Sequence, residues 1–224
     1  MKKIAIVTAG GMGTRMGAKL PKQFLLLSGK PVLWHTLNAF INAFEDIDFV
    51  LVVPDDFVNT ATVLASELNI SQKTVIVVGG PTRFDSVKNG LATIKESAIV
   101  FVHDGVRCLV SPDLIKRCYV QAIEKGSAIP AVASTDSVRI AMEDDHKVID
   151  RAKVSIIQTP QTFKSELILP AFNQSYQERF TDEATVVEST GNRVYLIEGD
   201  YQNIKITRPI DLIIAEQIIA DRVS

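Results

Sequence analysis

The chain has 224 residues, of which 46% are hydrophobic and 22% are charged, and its formal net charge at pH 7 is −2. This composition is typical of a folded protein with a substantial core, and it excludes intrinsic disorder. The small negative charge argues against electrostatic binding to nucleic acid or to an anionic membrane, and no apolar run is long enough to span a bilayer.

The cysteines and the N-terminal residues indicate the cellular compartment of the protein. The two cysteines, Cys108 and Cys118, have neither a metal-ligand spacing nor the pattern of a disulfide framework, which favours a reducing environment. The apolar run at residues 4–7 is too short for a signal peptide, and it leads into glycines rather than into a cleavage site. We therefore expect a cytoplasmic protein.

Strands and helices are predicted to alternate through residue 133. Short apolar runs bounded by turn residues predict buried strands at residues 2–7, 49–53, 74–78, 98–102 and 128–133. Apolar residues at helical spacing predict helices at residues 31–43, 58–68, 82–94 and 112–125. This alternation predicts an α/β fold, a mostly parallel sheet with helices on both faces.

The pattern changes at residues 134–157. Two short alternating segments, 137–141 and 147–151, flank the acidic turn at residues 143–145 and predict a projecting β-hairpin arm. Two strands alone are barely stable in water, so we expect the arm to pack against a second copy of the chain.

The last third predicts helices near residues 164–173 and 182–189, a strand at 194–197 and a closing helix after Pro209. No repeat or linker interrupts the chain. We therefore expect a single domain covering residues 1–224.

A glycine-rich turn after the first strand is the leading candidate for a binding site. It comprises Ala9, Gly10, Gly11, Met12, Gly13, Thr14 and Arg15, with Lys22 a short way beyond. Glycines let backbone N–H groups approach an anion closely, and the two cations add charge, so the turn fits a polyphosphate. The alternative is a plain strand-to-helix turn. The P-loop pattern is absent, and a dinucleotide fingerprint starting at Gly11 would need glycine where Met16 stands.

Asp104 follows the predicted strand at 98–102, at the edge of the sheet where ligands bind in such folds. A carboxylate there can hold Mg²⁺ or a sugar hydroxyl, whereas the simpler interpretation is a turn-forming residue. A Cys–His nucleophile made of His103 and Cys108 is disfavoured because no third group orients it. Lys205 lies between two isoleucines and would point away from them on a strand.

Taken together, the polar clusters of this chain resemble those of a known family. They are the glycine turn with Arg15, then residues 21–25, 79–80, 83–87, 103–107, 150–151, 158–161, 181–184 and 203–207. In this order, from the N-terminus to the last helix, they resemble the 2-C-methyl-D-erythritol 4-phosphate cytidylyltransferase family of the non-mevalonate route to isoprenoids.

The resemblance implies a Rossmann-like nucleotidyltransferase fold and a homodimer joined through the arm. It implies transfer of CMP from CTP to the polyol phosphate, by in-line attack of the substrate phosphate on the α-phosphorus, with Mg²⁺ or another divalent cation and with release of pyrophosphate. Because the attacking group is already an anion, such a reaction needs positioning and charge neutralisation rather than a nucleophilic side chain.

The resemblance also implies roles for single residues. The nucleotide would be bound by Ala9, Gly10, Gly11, Met12, Gly13, Thr14, Gly80, Arg83, Ser86 and Asp104. Asp104 would also hold the metal. The catalytic cations would be Arg15, Lys22, Lys205 and, from the arm of a second copy, Arg151. The second substrate would contact Asp104, Arg107, Ser137, Arg151, Thr159, Thr181 and Lys205.

The chain departs from the family pattern at two places. Gly105-Val106-Arg107-Cys108 stands where the family commonly has Ala-Ala-Arg-Pro, and Ser137 stands where the family usually has threonine. Two alternatives stay open: a ribitol 5-phosphate cytidylyltransferase, which would share Lys22 and Lys205, and a non-catalytic nucleotide-binding regulator. A nicotinamide oxidoreductase is disfavoured by the lack of the dinucleotide fingerprint.

Overall fold

The computed structural model describes residues 1–11 and 20–223. The strands of the described chain are β1 (Lys2–Thr8), β2 (Leu26–Leu27), β3 (Lys30–Pro31), β4 (Ile47–Val53), β5 (Thr74–Val78), β6 (Ala98–Asp104), β7 (Ser127–Ala133), β8 (Val138–Ala141), β9 (His146–Ile149), β10 (Ser155–Ile157), β11 (Gln161–Lys164) and β12 (Leu196–Glu198). Its α-helices are α1 (Val32–Ala43), α2 (Val58–Glu67), α3 (Arg83–Leu91), α4 (Pro112–Lys125), α5 (Ser165–Ala171), α6 (Glu183–Glu188) and α7 (Pro209–Val223).

One large sheet organises these elements, with strand order β10-β7-β11-β6-β1-β4-β5 and β12 beside β7. The strands β6, β1, β4 and β5 are parallel to one another, whereas β11 is antiparallel to both of its neighbours. The predicted mostly parallel α/β sheet is confirmed. Within residues 1–11 and 20–223, no helix combines the length and apolarity needed to cross a membrane.

The alternation of side chains along β1 explains why helices cover both faces of the sheet. Ile4 and Ile6 point to one face, where α3, α5 and α6 pack, and Ala5 and Val7 point to the other, where α1, α2 and α4 pack. Burial on both sides accounts for the continuous apolar runs of the parallel strands. It also fixes their register, because a slip of one residue would exchange the two faces.

This register brings the candidate residues to one edge. Thr8, the last residue of β1, pairs with Asp104 of β6 on one side and with Val52 of β4 on the other. The glycine turn after β1, the end of β6 and the turn after β5 therefore meet at the carboxyl edge of the parallel strands, which is where such sheets bind ligands.

The predicted arm is confirmed as a hairpin. β8 and β9 form a separate two-stranded antiparallel sheet, paired from Val138–Ile149 to Ala141–His146. Three large apolar side chains on it are more than half exposed, namely Ile140 (53%), Met142 (60%) and Val148 (61%). The second copy that we expect to cover them stays a prediction.

The sequence failed to predict β11. The sequence predicts a polar cluster at residues 158–161 and a helix from about residue 164, but residues 161–164 form a strand between β6 and β7 in which Gln161 and Thr162 are buried. A four-residue strand with polar side chains has no apolar run to reveal it. Pro31 was expected in the first turn of α1, and it instead precedes the helix as the last residue of β3.

Candidate active site

A cavity of about 360 Å³ opens at the carboxyl edge of the parallel strands. Many residues singled out from the sequence line it: Ala9, Gly10, Gly11, Lys22, Gly80, Arg83, Ser86, Asp104 and Lys205. They come from both ends of the chain. The sheet edge and the loops around it therefore build one site from distant segments.

Backbone contacts fix the start of the glycine turn. The N–H of Ala9 donates to the carbonyl of Val52 at 2.8 Å, and the carbonyl of Thr8 accepts from the N–H of Gly105 at 2.9 Å. The buried side-chain amide of Gln23 donates to the carbonyl of Ala9. The residues that enter the cavity after β1 are thus held by three other segments.

The turn after β5 builds the opposite wall. α3 begins with a capping box, in which Thr82 accepts from the N–H of Asp85 and the Asp85 carboxylate accepts from the N–H of Thr82. The N–H of Gly80 donates to the Ser86 hydroxyl at 3.1 Å. A Cβ on Gly80 would lie 2.4 Å from the Cβ of Asp85, so glycine is required by this close approach.

The carboxylate of Asp104 is the electrostatic centre of the cavity. Its Oδ2 lies 2.8 Å from the ammonium of Lys205 and 3.6 Å from Nε of Arg107, and its Oδ1 lies 3.3 Å from Nη2 of Arg83. Burial would raise the pKa of Asp104, but these three cations outweigh it and hold the pKa well below its usual range. Asp104 is therefore an anion surrounded by cations.

Arg83 has a second partner that the sequence did not reveal. Glu183, the first residue of α6, is 1% exposed and binds both terminal nitrogens of Arg83, with its Oε2 lying 3.1 Å from Nη2. Burial raises the pKa of Glu183 and Arg83 opposes that shift. Glu183 belongs to the cluster at 181–184 that supports the family resemblance, but we assigned it no role.

A second layer of polar residues supports Asp104 from behind. The N–H of Asp104 donates to the Thr159 hydroxyl at 3.1 Å, and that hydroxyl lies 2.9 Å from Nδ1 of His103. The carbonyl of Arg107 can only accept, so Nε2 of His103 carries the ring proton and donates to it at 3.1 Å, and Nδ1 of the neutral ring accepts from the Thr159 hydroxyl. Burial lowers the pKa of His103 to about 4, so the ring is neutral.

Thr159 and Arg107 were expected to contact the second substrate. Among the described residues that line the cavity, neither is included. Arg107 donates from Nη1 to the carbonyl of Asn203 at 2.8 Å, and the buried amide of Asn203 donates to the carbonyl of Thr159 at 2.8 Å. Both residues stabilise the wall behind Asp104, and their contact with a substrate stays a prediction.

Two of the expected cations are joined through one segment. The ammonium of Lys22 donates to the carbonyl of Ile206 at 2.9 Å, and Ile206 follows Lys205. Ile206 is fully buried, whereas Lys205 faces the cavity, which is the alternation that the sequence suggested. The segment is not a strand, so this orientation comes from the burial of Ile206, the hydrogen bond from its N–H to the carbonyl of Val106 and the ion pair of Lys205 with Asp104.

Comparison with known proteins decides the family. A family model described as 2-C-methyl-D-erythritol 4-phosphate cytidylyltransferase matches residues 3–221. The chain belongs to this family. Curated relatives with the same description are 42% identical over 98% of this chain in Bacteroides fragilis and 44% identical over 97% of it in Porphyromonas gingivalis, covering 100% and 98% of those proteins.

Solved structures agree with the family assignment. The 4-diphosphocytidyl-2C-methyl-D-erythritol synthase of Anaerococcus prevotii has a TM-score of 0.83 at 29% identity, covering 98% of this chain and 96% of that one. The Francisella tularensis 2-C-methyl-D-erythritol 4-phosphate cytidylyltransferase has a TM-score of 0.80 at 31% identity, covering 97% and 99%. The fold is that of this nucleotidyltransferase family, and the protein is a cytidylyltransferase.

Seven further residues of the cytidylyltransferase were predicted to belong to the site. Met12, Gly13, Thr14 and Arg15 fall outside the described residues. Ser137, Arg151 and Thr181 are exposed, and the described lining of the cavity includes none of them. The guanidinium of Arg151 donates to the carbonyl of Thr135 at 3.0 Å, at the base of the arm.

The described part of the chain holds no cluster of three or more His, Cys, Asp or Glu residues that would bind a metal ion by themselves. Among the described residues that line the cavity, Asp104 supplies the one carboxylate, which fits a cation that takes most of its ligands from phosphates and water, as Mg²⁺ does. The thiols are poor nucleophiles, because burial raises the pKa of Cys108 and of Cys118 to about 12.

Proposed function

We propose that this cytidylyltransferase transfers CMP from CTP to 2-C-methyl-D-erythritol 4-phosphate, giving 4-diphosphocytidyl-2-C-methyl-D-erythritol and pyrophosphate. The observation that carries the proposal is the cavity at the glycine turn, where Asp104 gathers Arg83, Arg107 and Lys205. Relatives that are more than 40% identical over nearly the whole chain are named for this acceptor.

The reaction is an in-line displacement at the α-phosphorus of CTP. An oxygen of the acceptor phosphate forms a bond to that phosphorus, the bond to the bridging oxygen of the β-phosphate breaks, and pyrophosphate leaves with its electron pair. The attacking oxygen is already anionic, so no side chain needs to remove a proton. The main barrier is repulsion between anions, and fixed cations lower it.

Lys22 and Lys205 would oppose this repulsion, and so would Arg15, which lies outside the described residues. Both lysines line the cavity, and the Lys22–Ile206 hydrogen bond connects them, so their charges act on one region. Because they are held before a ligand binds, little reorganisation is needed during the reaction.

The nucleotide would occupy the side of the cavity formed by the two glycine segments. Gly10 and Gly11 bring the backbone close to the triphosphate, and Gly80, Ser86 and Arg83 form the wall for the base and ribose. Ser86 is already fixed by the N–H of Gly80, so this wall is preformed.

Asp104 would hold a divalent cation, Mg²⁺ or a similar ion, through its carboxylate, with phosphates and water as the other ligands. When bound, such an ion supplies positive charge against the triphosphate. The charges of Arg83, Arg107 and Lys205 keep Asp104 ionised and therefore competent for this role.

The arm would join two copies of the chain, with Arg151 of one copy completing the cavity of the other. Two observations support this. The hairpin exposes Ile140, Met142 and Val148, which an isolated two-stranded sheet leaves uncovered. Arg151 is exposed at the base of the arm, free of any described carboxylate within ion-pair distance.

The test is pyrophosphate release by the purified protein with CTP and Mg²⁺. We expect turnover with 2-C-methyl-D-erythritol 4-phosphate and little without an acceptor. Lys22→Gln should lose most of this activity, whereas the matched control Lys30→Gln, an exposed lysine of β3, should keep it. Turnover on ribitol 5-phosphate, with none on the methylerythritol substrate, would overturn the proposed acceptor. Binding of CTP without turnover on either acceptor would favour the regulator.

A further inference from the structure

The buried carboxylate of Glu183 has no place in the reaction described above. Both of its oxygens bind the guanidinium of Arg83, and its side chain is 1% exposed. Arg83 lines the cavity, whereas the described lining does not include Glu183. Any effect of Glu183 on the binding of a ligand is therefore transmitted through Arg83.

Two elements, α6 and β11, hold Glu183 in place. It is the first residue of α6, which begins with a capping box between Asp182 and Thr185. From β11, the side-chain amide of Gln161 donates to Asp182 at 2.8 Å and accepts from the N–H of Ala184 at 2.8 Å. Because Asp182 and Ala184, the two neighbours of Glu183, are both hydrogen-bonded to Gln161, the backbone of Glu183 has little freedom. The position of its carboxylate beside the cavity is therefore fixed.

The two carboxylates around Arg83 contact it differently. Glu183 binds both terminal nitrogens of the guanidinium, whereas Asp104 accepts from Nη2 alone, at 3.3 Å. A two-point contact fixes the plane of a guanidinium, and a single longer contact does not. Glu183 therefore determines how Arg83 is presented to the cavity.

Glu183 also affects how Asp104 is shared among its cationic partners. Asp104 has two further cationic partners, Lys205 at 2.8 Å and Arg107 at 3.6 Å. Arg83 lies 3.3 Å from the other oxygen of Asp104, and its two-point contact with Glu183 holds it at that distance, so Lys205 remains the nearest cation to Asp104. If Glu183 lost its charge, Arg83 would compete with Lys205 for Asp104 and would turn away from its position in the cavity wall.

We infer that Glu183 is a positioning residue for the nucleotide, which it serves by fixing the guanidinium of Arg83 in the cavity wall. The inference rests on the proposed function in that the nucleotide is CTP. In Glu183→Gln the side chain keeps its shape and its amide oxygen can still accept from one nitrogen of Arg83, but its NH2 group faces the other nitrogen, which is also a donor. The two-point contact is lost although the volume is preserved.

The test is titration calorimetry with CTP, which needs no acceptor. We expect Glu183→Gln to bind CTP about tenfold more weakly than the unchanged protein, and Glu183→Asp, which keeps the charge on a shorter side chain, to lose less. The matched control is Glu188→Gln, an exposed glutamate at the other end of α6, which should bind normally. Kinetics should show a raised KM for CTP, with the KM for the acceptor changed less than about twofold.

A purely structural role would give a different result. Partial unfolding lowers the number of binding sites and kcat in proportion, and it leaves the Kd of the folded fraction unchanged. That outcome would overturn the inference, as would wild-type affinity in Glu183→Gln. If the unchanged protein binds no CTP, the proposed function itself is wrong, and the inference is wrong with it.

A double variant tests whether Glu183 acts through Arg83. In an Arg83→Gln background, adding Glu183→Gln should weaken CTP binding less than about twofold further, because the group that Glu183 orients is already gone. The second substitution should also raise the Tm of Arg83→Gln, since it removes a buried carboxylate left without its partner. A second full tenfold loss would contradict the inference.

Discussion

The ammonium of Lys205 lies 2.8 Å from Oδ2 of Asp104, so a carboxylate at the end of the sheet holds a cation from the last segment before α7. The next residue, Ile206, accepts a hydrogen bond from Lys22, which follows the glycine turn. The two ends of the chain are thus joined at the cavity by charged and polar contacts.

Lys205→Gln tests the part of the cavity that faces the acceptor. We expect kcat/KM to fall by a factor of about 100 or more, equivalent to about 3 kcal/mol of lost transition-state stabilisation. Its side chain is 42% exposed, so the free energy of unfolding should change by less than about 1 kcal/mol. Steady-state kinetics and urea unfolding of the same preparation separate the two effects. A variant with normal kcat/KM would contradict the role given to Lys205.

Asp104→Asn tests the charge balance around the carboxylate. The substitution leaves Arg83, Arg107 and Lys205 without their common anion, and two of these side chains are largely buried. We expect the free energy of unfolding to fall by about 3 kcal/mol, measured with urea. Asp113→Asn removes an exposed partner of Arg117 and should cost less than about 1 kcal/mol. Equal effects of the two substitutions would contradict the central place of Asp104.

His103 predicts a specific dependence of stability on pH. Burial lowers its pKa from 6.5 to about 4, so between these values the unfolded chain takes up a proton that the folded protein excludes. The stability that this provides is present above pH 6.5 and is lost as the pH falls toward 4. Between pH 7 and pH 5, without nucleotide or metal, wild-type stability should fall about 2 kcal/mol more than that of His103→Gln. Parallel pH profiles would contradict the buried neutral ring.

The sequence predicted those parts of the fold that depend on continuous apolar runs. The parallel strands and the helices between them are found where they were expected, because each of these strands is a continuous apolar run and each of these helices is long enough to show its periodicity. β11 was missed because its pairing with β6 and β7, rather than its own hydrophobicity, makes it a strand. No local signal shows that Gln161 and Thr162 are buried.

The residues of the candidate site likewise fall into those that the sequence identified and those that it missed. Asp104, Gly80, Arg83 and Lys205 were identified by the sheet-edge rule and by the family resemblance, and the structure brings them to one cavity. Glu183 was missed because an acidic residue at the start of a helix is usually a solvated one that favours the helix dipole. Its partner lies 100 positions away in the sequence, so only the folded chain reveals the pair.

Subunit mixing tests the proposed sharing of Arg151. Lys22→Met and Arg151→Met proteins should each be inactive, because each lacks one cation in every cavity. After mixing and exchange of subunits, one cavity of a mixed dimer contains both natural residues, so we expect about a quarter of wild-type activity to return. Sedimentation should show dimers throughout. Persistent inactivity of the mixture, with exchange confirmed by a tagged chain, would contradict a shared cavity.

The most direct test of the central claim follows the oxygen atoms of the acceptor phosphate. The protein is supplied with CTP, Mg²⁺ and 2-C-methyl-D-erythritol 4-phosphate carrying ¹⁸O in its non-bridging phosphate oxygens, and the products are examined by ³¹P NMR. Attack on the α-phosphorus predicts that the oxygen joining the two phosphorus atoms of the product is labelled and that pyrophosphate carries no label. An unlabelled bridge, or label in pyrophosphate, would contradict the account.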